Sequence, residues 1–344
     1  MSPRLPLVCG VALALAVMAF PAPAQAAATP GPAVDLTPQV AVINAAKERK
    51  QTVFSLDVAA QAGERRYLRS DLAVDKVVLP KGQPSIFLGV SIICTGPGNV
   101  TVLDVEGGTN VWTSDKDFVI PVLGAFTAKE SATYACITRV MICDPGNCNS
   151  PEGLGSVTLI TKPAPPKDYS YLAVSGALPA WSLIYQIPKA RDTLVGPGKS
   201  LAMTKAFDFT GADGPIVVGS IVSLTNCIVA DYPPVCSAAK SMSTQGSARV
   251  TIALVITQLP AIAGTQCAVI KARPVTDTIT WQEHHAVADI VVPDVVLSDA
   301  PGCGRSVNVT TTVGVGKGNS VAVEGGSKRI VESVTYAVPG SPAP

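Results

Sequence analysis

The sequence predicts an all-β protein: two tandem, disulfide-braced β-sandwiches followed by a C-terminal strand extension. Three observations predict it. Short runs rich in Val, Ile, Thr and Leu alternate with clusters of Gly, Pro, Asn and Asp, which is sandwich spacing rather than βαβ spacing. Nine cysteines are present, and eight of them follow residue 26, an even set suited to bridges. Landmarks also recur at a separation near 130 residues. The 344 residues are enough for two domains, and 47% apolar content supplies two cores. Only 15% of residues are charged, which argues against a disordered chain. A net charge of +1 provides no field for nucleic acid or acidic lipid.

Residues 1–26 read as a secretory signal. Arg4 gives the positive end, residues 5–20 the apolar stretch, and Ala24-Gln25-Ala26 the small-x-small cleavage pattern. Cys9 leaves with it. The apolar stretch is short for a membrane span, and the C-terminal residues carry no anchor pattern. The expectation is a secreted chain, held if at all by contacts with the cell envelope. Its Ala-, Val-, Gly- and Pro-rich usage points to a GC-rich bacterium such as an actinobacterium.

Residues 27–50 form an N-terminal segment. Thr37-Pro38 followed by Val40, Ile43 and Ala46 predicts a short helix over 38–49. Residues 51–161 form the first sandwich, with strand-like runs at 85–93, 100–105, 118–122, 134–142 and 156–160. Residues 162–168, with three prolines, read as a stiff linker. Residues 169–297 form the second sandwich, with runs at 201–209, 216–224, 248–256, 267–272 and 286–292. Residues 298–344 add a β-hairpin extension and tail. Residues 314–319 make its turn, and its strands complete the second sandwich or cover one of its edges.

The two halves read as a duplication. Phe54-Ser-Leu matches Trp181-Ser-Leu, the run ending in Cys94 matches the run ending in Cys227, and Tyr134-Ala-Cys136 matches Thr265-Gln-Cys267. The eight cysteines are 94, 136, 143, 148, 227, 236, 267 and 303. Zinc wants paired CxxC spacing or nearby His, and Cys143-x4-Cys148 is the tightest pair, so bridges are the better reading.

Glu130-Ser-Ala-Thr-Tyr134-Ala-Cys136 resembles the F-strand of immunoglobulin-like domains, in which a Tyr anchors a corner two residues before a bridged Cys. The resemblance covers about 50 residues. It implies that Cys94 is the partner of Cys136 and that Trp112 packs on the bridge. Extended through the repeat, it implies bridges 94–136, 227–267, 143–148 and 236–303.

A second resemblance is to the neocarzinostatin-type apoproteins, secreted actinobacterial sandwiches that carry enediyne chromophores. Cys227-x8-Cys236 with Gly246-Ser-Ala-Arg-Val-Thr-Ile is similar to their first bridge and following strand. Cys143-x4-Cys148 with Pro151-Glu-Gly is similar to their second. It implies bridges 227–236 and 267–303 instead. The first set is preferred because the repeat places Cys94 and Cys136 at Cys227 and Cys267. A bridge closing some 40 residues restrains the unfolded chain by about 4 kcal/mol and the 143–148 loop by about 2.

Glu283-His284-His285 is the single histidine cluster. Adjacent strand residues point to opposite faces, so surface strand residues are expected, not metal ligands. Gly196-Pro-Gly198-Lys199-Ser200 lacks the first Gly of a phosphate loop, because Thr193 stands there. Asp104, Glu106, Asp115 and Asp117 bring oxygens into neighbouring loops and are weak calcium candidates; ordinary turn chemistry also explains them. There is no G-x-S-x-G elbow. Aromatics at 5% give little support to a stacking platform.

The expected function is a secreted, non-enzymatic binding or structural module. It acts through sandwich loops on a protein, envelope or glycan partner. Candidate binding residues are Asp144, Asn147 and Asn149 in the pinned loop, and Asn226 and Tyr232 in the loop to Cys236. A small-molecule carrier with an apolar cleft is the first alternative, and a secreted hydrolase the second. No cofactor, nucleic-acid partner or membrane span is expected.

Overall fold

A computed structural model describes residues 40–44, 50–112, 116–143, 156–161, 171–175, 178, 182–187, 192–212, 216–229, 233–325 and 333–339. The expected signal and its cleavage site lie outside them, as do Asp115, Asp144, Asn147, Cys148, Asn149, the 162–168 segment and Tyr232. The described residues are all-β with two short 3-10 turns. The first nine strands are β1 Val40–Asn44, β2 Lys50–Ala60, β3 Arg65–Val78, β4 Ser85–Gly96, β5 Val100–Trp112, β6 Lys116–Thr127, β7 Ala132–Cys143, β8 Ser156–Thr161 and β9 Tyr171–Val174. Sheet I runs β1-β8-β3-β6 with β9 also on β3, and sheet II runs β2-β7-β4-β5. Their inner faces enclose one core, in which Leu68, Leu72, Ile86, Leu88, Ile92 and Ile120 are fully buried.

The second set is β10 Leu183–Gln186, β11 Thr193–Val195, β12 Lys199–Asp208, β13 Ile216–Asn226, β14 Ala248–Pro260, β15 Val269–Lys271, β16 Val275–Ile279, β17 His285–Val295, β18 Cys303–Gly318, β19 Val321–Val323 and β20 Val334–Pro339. Sheet III runs β10-β20-β13-β19-β11 with β17 on β13. Sheet IV runs β12-β18-β14-β15 with β16 on β14. Strand β14 shows why the chain folds this way. Ala248, Val250, Ile252, Leu254 and Ile256 alternate into the core, while Arg249 and Thr251 face out.

The duplication is present, and its register differs from the expected one. The pairs β2–β7, β7–β4, β4–β5, β3–β6, β3–β8, β3–β9 and β1–β8 recur as β12–β18, β18–β14, β14–β15/β16, β13–β17, β13–β19, β13–β20 and β11–β19. All are antiparallel, and the counterparts follow the same chain order; β10 is extra. A buried hydroxyl pair also recurs. Thr138 Oγ1 bonds Ser70 Oγ at 2.8 Å between β7 and β3, and Thr311 Oγ1 bonds Ser220 Oγ at 2.6 Å between β18 and β13. The expected alignment matched the run ending in Cys94, on β4, to the run ending in Cys227, on β13. These strands lie in non-equivalent sheets. The segment between β13 and β14 is longer than that between β3 and β4, so no single offset aligns the repeats.

Four other expectations are corrected. The predicted helix over 38–49 is strand β1 where described, because Val40–Asn44 pairs with β8; ladder pairing overrides local helical spacing. The proline-rich 162–168 segment joins β8 to β9, which both pair with β3. The segment itself lies outside the described residues, but strand β9 beyond it still belongs to the first sandwich, so the second begins after β9 rather than at residue 169. The turn expected at 314–319 falls later, since β18 runs on to Gly318. The C-terminal strands complete the second sandwich: β18 lies between β12 and β14, and β20 between β10 and β13.

The fourth concerns the bridges. Cys227 pairs with Cys236 and Cys267 with Cys303, so the preferred 227–267 and 236–303 pairing is wrong. Cys227 follows β13 in sheet III, whereas Cys267 precedes β15 in sheet IV, so the two belong to different layers. Cys94 does pair with Cys136, but as register partners within sheet II, with Cα atoms 4.1 Å apart, not across the sandwich. The tyrosine corner forms as expected: Tyr134 Oη donates to the Glu130 carbonyl at 2.8 Å. Trp112 does not reach the bridge. It pairs with Ser85, at the far end of the ladder from Cys94. Cys143 is disulfide-bonded too. These bridges mark an oxidising compartment.

Sheets I and III pack outer face to outer face. Tyr67 and Leu123 of sheet I meet Val217, Ile221, Val334, Tyr336 and Val338 of sheet III in a third core. Strand β13 is therefore buried along its whole length, as its unbroken run of apolar and small residues requires. Gly219 is needed here: a Cβ would collide with the ring and hydroxyl of Tyr336. Inside the seam, Arg69 binds Asp71 through Nε and Nη2 at 2.9 and 3.0 Å, Asp289 at 2.6 Å and the Tyr336 hydroxyl at 3.2 Å. Burial pushes the Asp289 carboxyl up, against the pull of Arg69.

Arg69→Ala is expected to lower stability by about 3–5 kcal/mol in urea unfolding, because it strands two buried carboxylates. Replacing Arg69, Asp71 and Asp289 together by apolar residues is expected to cost less than that single change. A larger loss for the triple variant would show the ion cluster to be stabilising in its own right.

Candidate functional site

A cleft of about 370 Å³ opens at one end of the seam between the sandwiches. The first sandwich contributes Thr109, Asn110 and Val111 from β5 and Phe118 and Val119 from β6. The second contributes Asp277, Thr278 and Ile279 from β16, Glu283 from the following bend, and His285, Ala286 and Val287 from β17. These elements are held together across the seam. Thr109 Oγ1 donates to the His285 carbonyl at 2.7 Å, and Asn110 Nδ2 donates to His284 Nδ1 at 3.1 Å. The Phe87 ring meets His285 edge-on at 5.6 Å.

The two histidines are not surface residues, which corrects the sequence expectation. His285 is 6% exposed. Strand alternation does not govern the pair, because His284 precedes β17 and its ring turns toward that of His285, and both faces of sheet III are covered. His285 Nδ1 lies 2.7 Å from Thr225 Oγ1 and 3.3 Å from Glu324 Oε1, and Thr225 and Glu324 also touch each other. The His284 and His285 rings are 4.5 Å apart. Burial, and secondly the neighbouring His285, push the His284 imidazole down to about 3. It is therefore neutral at physiological pH, and Nδ1 is free to accept from Asn110.

The Thr225–His285–Glu324 cluster is not a catalytic relay. A relay needs the nucleophile and the acid on opposite ring nitrogens; here both sit at Nδ1. Thr225 is also fully buried. Among the described residues, no group of three or more His, Cys, Asp or Glu is placed to hold a metal ion.

The other sequence candidates fall elsewhere. Asn226 is not a loop residue presented to a partner. It ends β13 fully buried, and its Nδ2 donates to the carbonyls of Gly246 and Ile279. Asp104 and Glu106 lie in strand β5, paired with Ile93 and Ser91, not in a loop. Asp117 lies in β6. Glu106 is too buried for a calcium loop. Its Oε1 is enclosed without a hydrogen-bond partner, and a Cβ on Gly89 would touch it. Burial, opposed by Lys50, pushes this carboxyl up to about 7.

Sequence reasoning missed the cleft and missed Trp281. This side chain is 40% exposed, in the bend between the cleft residues Ile279 and Glu283. The available signal was a tryptophan at a strand turn in a chain with three. The backbone N–H of Glu283 bonds Thr280 Oγ1 at 3.0 Å, which shapes that bend.

No family model matches the chain, and no curated protein matches it. The solved structures that it resembles include the tandem CBM22-1–CBM22-2 domains of Paenibacillus barcinonensis Xyn10C. That match has 9% identity, covers 82% of each chain and has a TM-score of 0.24. Infectious bursal disease virus of the Gx strain matches at 12% identity over 88% of this chain and 77% of that one, with a TM-score of 0.21. The subviral particle of that virus's VP2 matches at 9% over 91% and 80%, with a TM-score of 0.19. At such TM-scores none of them carries an argument. The chain's own sheets define it as a tandem β-sandwich protein.

The buried Glu106 carboxyl sets a pH dependence. Its folded-state value of about 7 lies above the ordinary 4.5, so the proton is held more tightly in the folded state. Its contribution is complete below pH 4.5 and is lost as pH rises through 7. Glu106→Gln is therefore expected to gain about 3 kcal/mol relative to wild type between pH 4 and pH 8. Urea unfolding at the two pH values measures this, and an unchanged difference would show the carboxyl to be relaxed.

Proposed function

We propose that this protein is a secreted, non-catalytic binding module that holds a neutral, hydroxyl-rich ligand, a glycan, in the cleft between its sandwiches. One observation carries the reading. Both sandwiches line the cleft with hydrogen-bonding groups, namely Thr109 from the first and Asp277, Thr278 and Glu283 from the second. Phe118 supplies an aromatic wall, and exposed Trp281 stands in the bend beside it. Sugars need this mixture: polar side chains for their hydroxyls and flat apolar surface for their C–H faces. About 370 Å³ suits one or two sugar rings. The Nδ1 geometry of His285 supports binding without turnover. The half-polar lining argues against an apolar chromophore carrier, which would need a greasier cavity.

The test is calorimetric titration of the secreted protein with a panel of soluble plant, fungal and bacterial-wall oligosaccharides. Binding of at least one is expected, with Trp281→Ala weakening it about tenfold, roughly 1.4 kcal/mol. Asp277→Asn is expected to change which sugars bind while leaving the fold intact. Binding indifferent to both changes would move the site elsewhere. Cleavage of the bound sugar would overturn the non-catalytic reading.

A further inference from the structure

The outer face of sheet IV is open to solvent and carries no charge across its centre. The outward positions from Ser200 to Ala206 on β12, Asn308 to Gly314 on β18 and Thr251 to Thr257 on β14 are all Ser, Thr, Ala, Asn, Gly or Val. They are exposed or half-buried. A strand face bathed in water ordinarily carries Lys, Glu or Arg. Part of the polar surface is already satisfied internally. Thr204 and Thr310 share a hydroxyl hydrogen bond at 2.9 Å, and Thr251 and Thr276 another at 3.2 Å. Such pairs lose less on leaving water than free hydroxyls do.

Charge returns at two opposite corners and on the β15 edge, where exposed Lys271 stands beside Val255 on the same face. Asp208 closes β12 at one end of the face, and Arg249 begins the outward row of β14 at the other; both are exposed. We propose that this face packs on the same face of a second copy of the chain, in a two-fold dimer where Asp208 of each copy meets Arg249 of the other.

The geometry supports that occupant. With strands about 4.8 Å apart and rising about 3.3 Å per residue, the line from Asp208 to Arg249 leans roughly 16° from the strands. A two-fold axis lying in the interface across the midpoint of that line superposes each corner on its opposite. It also crosses the strands of the two copies at about 30°, the angle at which aligned sheets pack. The face measures roughly 20 by 30 Å, or about 600 Å² per copy, which is below the usual 800 and fits a micromolar dimer. The chain uses the same mode internally, where sheets I and III meet face to face.

The experiment is sedimentation of the full secreted chain over about 1 to 500 µM, bracketing a micromolar dissociation constant. A monomer–dimer equilibrium is expected. Thr310→Lys, at the centre of the face, should abolish it, and so should Ala202→Arg at an exposed position that the fold tolerates. Asp208→Arg and Arg249→Asp should each weaken it severalfold, and the double reversal should restore it. Circular dichroism confirms that each variant is folded. Monomer at every concentration overturns the proposal, whatever else the face then binds. A dimer untouched by the central charges overturns it as well, because the contact then lies elsewhere.

Discussion

Arg69 carries a positive charge into the seam between two β-sandwiches, where sheets I and III leave it little contact with water. The residue is 6% exposed, and its guanidinium is met by Asp71 from its own strand and by Asp289 and Tyr336 from the other sandwich. An ion group this dry is costly to assemble and more costly to break. It ties the sandwiches to one registration, since Arg69 Nη2 reaches Asp71 Oδ2 and Asp289 Oδ2 together only there, while Asp289 Oδ1 stays enclosed without a partner. The apolar contacts of Tyr67, Leu123, Val217 and Ile221 contribute area around it. The cleft depends on that registration, because its two walls belong to different sandwiches.

The strands were legible in the sequence, and so was the existence of a repeat. Period-two alternation such as that of β14 survives folding because one face meets a core and the other meets water. The repeat's alignment was not legible. Cysteines were used as its landmarks, yet the bridge 94–136 lies within sheet II, while 227–236 closes a loop that the first repeat lacks. The conserved physical feature is the hydroxyl pair Ser70–Thr138, repeated as Ser220–Thr311, and two small polar residues per repeat stand out against no background in a Ser- and Thr-rich chain. The segment at 38–49 misled for a related reason: helical spacing of Val40 and Ile43 says nothing of a partner strand more than a hundred residues away.

The site was less legible than the fold. Loops at the ends of sandwiches were the expected location, and Asn226 was chosen there. Its amide instead ties β13 to the backbone at Gly246 and Ile279. The residues that do line the cleft, Asn110 and His285 among them, are strand residues separated by a whole domain in sequence. Only the packing of sheet I on sheet III brings them together. Sequence periodicity reports which face of a strand is buried. It does not report which sheet buries it.

The duplication explains how the cleft is built. Strands β3 and β6 pack against β13 and β17, their own counterparts, so the seam joins equivalent sheets of the two repeats. The cleft walls obey the same relation: β5 and β6 on one side, β16 and β17 on the other. A site built where counterpart elements of two different repeats face one another draws on both repeats at once. Its two walls have diverged. The first repeat supplies an amide and an aromatic ring, Asn110 and Phe118, where the second supplies carboxylates and imidazoles from Asp277, Glu283, His284 and His285. Two identical sandwiches would have lined the cleft with the same groups twice. Divergence of the outer faces, with the inner Ser–Thr pairs retained, let one fold repeated in tandem build a site that is chemically different on its two sides.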